Sequence, residues 1–206
     1  MTFSRKPNVS RYFLICTVQM EDYNIGTDVL SLRRDLAWSG VQLEADQFHA
    51  TTDPEEVRDA MFGLLATKQF RVDATILEKS KALPRLQDDL KLYKHAWYYH
   101  FKEIGPRLVG PADREVMLHA ASVGTKKKRK AFLGAIHDVV QQSLPGVEYR
   151  CSFWPAQTDP CLQVADYCAW AIQRAWERGD SRRLDQIRSK VVTQYDLFRS
   201  GGTHHY

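Results

Sequence analysis

The sequence predicts an α/β sandwich, a mixed sheet with helices on its faces. Segments of strand period and helix period alternate along most of the 206 residues, which is the pattern of sheet-and-helix layers. No repeat, linker or low-complexity block divides the chain, and the length suits one substantial core better than two. A single domain over residues 1–200 is therefore expected, with residues 201–206 a flexible tail whose His204-His205 pair is disordered rather than metal-binding.

Residues 11–19 read as a core strand, and 26–38 as a helix with Val29, Leu32 and Leu36 on one face,. Asp53-Pro54-Glu55-Glu56 reads as a helix start. Asp53 is placed as N-cap, Pro54 at the first helical position and Glu56 closing a capping box. The helix should run from about 54 to 67 and bury Val57, Met61, Leu64 and Leu65. Residues 70–78 alternate as a strand with Val72, Ala74 and Ile76 on one face,. A long helix over about 85–108 carries Leu90, Tyr93, Trp97, Phe101 and Ile104, with Pro106 bending or ending it. A strand at 115–123, a helix at 126–143 and a strand at 147–154 follow, then a helix over 160–177 and a shorter one over about 181–191.

Hydrophobic residues make up 44% and charged residues 26% of the chain, the proportions of an ordinary globular protein. Formal net charge is only +4, so any affinity for nucleic acid must come from local patches. The four cysteines include no C-x-x-C pair. They read as small core residues in a reducing, cytoplasmic setting. The apolar run Tyr12–Val18 is too short and too β-branched to span a membrane, and no small-residue cleavage site follows it.

The helix opening at Thr158-Asp159-Pro160 holds the strongest chemical signal. At about 100° per residue, Asp159, Gln163, Asp166 and Trp170 fall within a sector of about 60°. Asp159 is also a natural N-cap ahead of Pro160. Asp166 stands beside a core stripe with no Lys or Arg within one turn. Its desolvation must be compensated by a metal ion, a proton or a hydrogen-bond network. Glu78 shares the apolar face of its strand and closes it at the carboxyl end, where ligands of open α/β sheets bind. It either opens a site or marks the end of burial. His49 precedes a helix start suited to a phosphate, and a local backbone bond would satisfy it equally. Lys126, Lys127, Lys128, Arg129 and Lys130 crowd a helix N-terminus, which disfavours cations. They form either a phosphate-contacting patch or a solvated face. Trp97 and Phe101 read as core, whereas Tyr98 and His95 could reach outward.

With Phe48-His49-Ala50-Thr51 and Glu78-Lys79, the segment Leu162-Gln163-x-Ala-Asp166-Tyr167 resembles the bacterial domain-of-unknown-function 3800 family. The likeness runs over nearly the whole chain, including the Trp170 and Trp176–Asp180 stretches. It implies an RNase H-like mixed sheet and a carboxylate site for Mg²⁺ or Mn²⁺. On that pattern Asp166 and Glu78, with Asp159, would hold metal, and Asp166, Glu78 and His49 would be catalytic. Gln163, Lys79 and residues 126–130 would bind a nucleic-acid substrate. The family's first strand ends in Asp-Glu-Ser or a close variant, and residues 1–10 hold no acid. The resemblance leaves two courses open: a start upstream of Met1, or a lineage that lost this strand and its metal ligand. The expected function is accordingly a metal-dependent nuclease or phosphodiesterase. The alternative is a degenerate nucleic-acid-binding or protein-interaction module. An exposed sheet edge would also suit a homo-oligomer.

Overall fold

The computed structural model of the chain describes residues 1–206 apart from 5, 42, 44–46, 110–114 and 122–125, and gives the backbone alone of 126–128. Residues 122 and 123 of the expected third strand lie outside the described residues, as do the side chains of Lys126, Lys127 and Lys128.

The chain is mixed α/β. It begins with β1 (Tyr12–Gln19), α1 (Asn24–Trp38), α2 (Glu55–Thr67) and β2 (Arg71–Glu78). Then come α3 (Asp89–Leu108), β3 (Glu115–Ala121), α4 (Lys126–Ser143) and β4 (Glu148–Trp154). It closes with α5 (Pro160–Arg178), α6 (Arg182–Gln186) and β5 (Val191–Asp196). Among the described residues β1, β2 and β5 form a three-stranded sheet in the order β1-β2-β5, and β3 pairs with β4. No described helix is long and apolar enough to cross a membrane.

Two corrections to the sequence expectations concern this sheet. The helix expected over 181–191 is only α6 and a 3-10 turn at Arg188–Lys190; the β-branched Val191-Val192-Thr193 opens β5 instead. With β5 on one side and β1 on the other, β2 is central. Its residues from Val72 to Glu78 are all buried, so the one-faced alternation does not hold. The second face carries polar groups that require partners. Asp73 receives the Arg71 guanidinium at 2.6 Å, and the Thr75 hydroxyl lies 2.9 Å from His100 Nδ1.

The chain resolves into two compact units. The first comprises residues 1–15, 74–153 and 194–206. Its core joins Leu92, Ala96 and Phe101 of α3 to Ile136 and Val140 of α4, with Leu144 just after α4 and Leu77 from β2. Asp88 caps α3 by accepting from the Leu90 and Lys91 amides, so the helix starts later than the expected 85. Pro106 lies inside α3, two residues from its end. The C-terminal residues are held: His205 N–H donates to the Ser80 carbonyl at 2.7 Å, and His204 Nδ1 lies 2.8 Å from Ser80 Oγ.

The second unit comprises residues 16–73 and 154–193. Within it α5 packs on α1, and α1 on α2. Gly26 of α1 faces α5, and a Cβ there would meet Cys161 Sγ at 3.4 Å, an ordinary contact distance. Gly179, at φ 68°, closes α5 in the left-handed conformation that glycine adopts without strain,. α2 buries Val57, Met61, Phe62 and Leu65, so Phe62 takes the core place expected for Leu64.

Candidate functional site

In the second unit α5 turns one stripe of polar side chains toward the segment between α1 and α2. Gln163, Asp166 and Tyr167 stand at the i, i+3 and i+4 spacing that shares a helix face. Each accepts from or donates to that segment. The Phe48 amide donates to Gln163 Oε1 at 3.2 Å, while Gln163 Nε2 donates to the Ala156 carbonyl at 2.9 Å. The Ala50 amide donates to Asp166 Oδ2 at 2.9 Å, and His49 Nδ1 lies 3.0 Å from the same oxygen. Tyr167 donates its hydroxyl to Asp53 Oδ2 at 2.5 Å, and the His49 amide reaches that oxygen at 2.7 Å.

This network answers the question that Asp166 posed. Its carboxylate is compensated by a backbone N–H and an imidazole, the hydrogen-bond solution among the three. An ionised carboxylate is acceptor-only, so in this contact Nδ1 of His49 is the donor. The His49 side chain is 40% exposed and that of Asp166 33%, so the pair stands open to solvent.

Asp53 departs from its expected role. The N-cap of α2 is Pro54, with no side-chain cap, and the Asp53 carboxylate is turned inward to Tyr167 and the His49 amide. Burial pushes its carboxyl above the ordinary value despite those two donors and the nearby His49 and Arg58; among the described residues its Oδ1 is buried without a partner. Burial and the Asp53 hydrogen bond push the Tyr167 hydroxyl far up in turn. Arg58 completes the enclosure, with Nε donating to the Ala50 carbonyl at 2.8 Å and its guanidinium 5.1 Å from the Trp170 ring centre. Arg174 sits over the same indole at 5.2 Å.

The structure thus brings together His49, Gln163 and Asp166. Asp159 serves as the N-cap of α5, accepting from the Cys161 amide at 2.8 Å. Glu78 and Lys79 belong to the first unit. Glu78 Oε1 accepts from Arg11 Nε at 2.9 Å, and Lys81 Nζ lies 3.3 Å from Oε2. Burial works to raise the Glu78 carboxyl, but Arg11 and Lys81 outweigh it and hold it below its ordinary value. Lys79 directs its ammonium to the Thr2 carbonyl at 3.0 Å. On α4, Lys130 is exposed and Arg129 half-buried.

A divalent ion such as Mg²⁺ needs several hard oxygen donors turned to one point. Among the described residues no three of His, Cys, Asp and Glu converge in that way. Asp166 Oδ2 already accepts from two nitrogens, and Glu78 faces two cations. Among the described residues, then, these carboxylates are not disposed to hold a bound ion.

Sequence reasoning missed Asp53, Tyr167 and Arg58 as members of the site. Tyr167 adjoins Asp166 on α5 and reads in the sequence only as part of the Asp166 motif, with no role of its own. Its ring is buried, 5.4 Å from that of Phe62. Only its hydroxyl, which needs a partner once buried, signalled more. No family model, curated protein or solved structure matches the chain.

Proposed function

We propose that the chain is an RNase H-like domain of the class resembled by its motifs, acting on phosphodiester bonds of nucleic acid. In this reading His49 moves the proton and Asp166 orients it. The observation that carries the reading is the 3.0 Å contact between His49 Nδ1 and Asp166 Oδ2 with both side chains open to solvent. Asp166 fixes the tautomer, leaving Nε2 to take a proton from an attacking water or hydroxyl. The imidazolium so formed is stabilised by the same carboxylate and can return the proton to the leaving oxygen. Four free cysteines accord with a reducing, cytoplasmic setting.

Cleavage of single-stranded DNA and RNA oligonucleotides by the purified chain tests the reading, with EDTA and with added Mg²⁺ or Mn²⁺ in parallel. The parent should cleave at least one of them. His49→Ala should lose about 10²–10⁴-fold in rate, the usual contribution of a positioned acid–base group. Parent-like cleavage by His49→Ala would refute the assignment. Activity found only with added metal would restore the metal-dependent mechanism implied by the resemblance.

A second reading has its own support. Gln163, Asp166 and Tyr167 all bind one segment of chain, as a purely structural clamp would. The domain would then be a degenerate module that binds nucleic acid or protein without cleaving. Its signature is binding by the parent with no turnover under any metal condition.

A further inference from the structure

The first unit carries a groove of about 500 Å³ whose walls come from α3, α4 and the turn before α3. That volume lies within the range of small-ligand sites. Lys91, Lys94, His95 and Tyr98 line it from α3, at the i, i+3, i+4 and i+7 positions of one helix face,. Arg85 enters from the preceding turn, and Val139 supplies apolar surface from α4.

The charge in this groove is of one sign and largely uncompensated. Lys94 pairs with Asp138 at 2.5 Å. Among the described residues Arg85 and Lys91 make no ion pair, and both are exposed. Two half-buried rings line the groove beside these cations. His95 stacks with Phe198 at 6.1 Å between centres, and Tyr98 meets Tyr99 edge-on at 5.2 Å. Burial, assisted by Arg85, holds the His95 imidazole below its ordinary pKa, so near neutral pH it presents an uncharged ring. Cations at a rim and aromatic rings on the wall are what a single strand requires, with phosphates held by the first and bases stacked on the second.

We propose that this groove binds single-stranded nucleic acid, with Arg85 and Lys91 on consecutive phosphates and Tyr98 stacked on a base. A base paired in a duplex cannot present its face to Tyr98, so the geometry selects single strands. The groove shares no residue with the His49–Asp166 pair. Strand binding and hydrolysis therefore stand or fall separately.

Fluorescence anisotropy with a labelled ten-residue oligothymidylate in EDTA reads the binding without cleavage. Arg85→Ala/Lys91→Ala, with both changes at exposed positions, should weaken binding at least about 10-fold. It should also lower the salt slope by about 1.4, at roughly 0.7 per phosphate contact. Tyr98→Leu keeps an apolar group of similar reach; it should weaken binding at least about 5-fold and leave the salt slope unchanged. No binding by the parent at millimolar protein would overturn the proposal, as would parent-like binding by the double variant. Parent-like binding by Tyr98→Leu, equal affinity for a blunt duplex, or displacement of the strand by thymidine monophosphate at equal nucleotide concentration would each overturn the single-strand assignment.

Discussion

Asp166→Ala removes the acceptor shared by the Ala50 amide and His49 Nδ1. A hydrogen bond to a charged group contributes about 1.5–3 kcal/mol when well buried. Here the carboxylate is 33% exposed, so water can replace part of what is lost, and solvent screens the charge. The two bonds together should then be worth about 2 kcal/mol. For a chain of this size that is a fall in Tm of about 4–8 °C. The Ala50 amide should also lose protection in hydrogen exchange, because the loss is local to the segment it anchors. Asp166→Asn keeps one oxygen for the Ala50 amide and gives up the charge, and should cost about half as much. Urea denaturation of the three proteins with residue-resolved exchange measures both effects. If Asp166→Ala unfolds at the parent midpoint with Ala50 still protected, the carboxylate is not what holds the segment, and the account of its compensation is wrong.

Two further outcomes follow from buried groups elsewhere. Tyr167→Phe leaves Asp53, itself fully buried, with the His49 amide as its remaining donor among the described residues; stability at pH 7 should fall by about 1–3 kcal/mol, read as a urea midpoint. Asp53 has a raised folded pKa, so its contribution is complete below the unfolded value and is lost as pH rises through the folded one. The Tyr167 hydrogen bond works to lower that pKa by favouring the ionised carboxylate, so without it the deficit of Tyr167→Phe should grow from pH 4 to pH 7,. Glu78 has a lowered pKa, and the sign reverses: its contribution is present above the ordinary carboxyl value and is lost as pH falls through the folded one. Glu78→Gln should be less stable than the parent at pH 7, by about 1–2 kcal/mol given the exposure of Arg11, and should match it near pH 3. A deficit unchanged by acid would show that Glu78 acts by packing and not by charge.

Much of the fold was legible because the apolar periods were strong. α1, α2, α4 and α5 form within two residues of the expected bounds, and Asp159 caps α5 as Asp-Pro at a helix start should. What the sequence concealed was long-range. β2 read as one-faced because Asp73 and Thr75 are polar; burial of that face depends on Arg71 and on His100, the latter twenty-five positions away from Thr75. Asp53 read as a cap from local grammar, but Tyr167, 114 residues on, offered its carboxylate a buried donor. Local propensity decides such a position only when no tertiary partner competes for it. The site shows the same division. Asp166 was conspicuous because a helix stripe exposed its cost, and His49 was visible only as a residue before a helix. Their contact spans 117 positions and could not be read from either neighbourhood.

That one oxygen of Asp166 serves both the Ala50 amide and His49 constrains how structure and chemistry can be separated here. A clamp needs the oxygen but is indifferent to its charge beyond the strength of one bond. A proton-transferring histidine needs the charge, because a neutral amide stabilises the imidazolium far less. Asp166→Asn divides the two roles, and the His49→Ala background shows whether they are coupled. Were the pair structural alone, the two substitutions should couple in stability and leave nothing to measure in turnover. If His49 works through Asp166, Asp166→Asn should lower turnover far more than the stability it costs, and should lower it no further once His49 is gone. The second pattern requires the carboxylate to be charged, oriented and open to solvent at once; the 3.0 Å contact between partly exposed side chains supplies the orientation and the access.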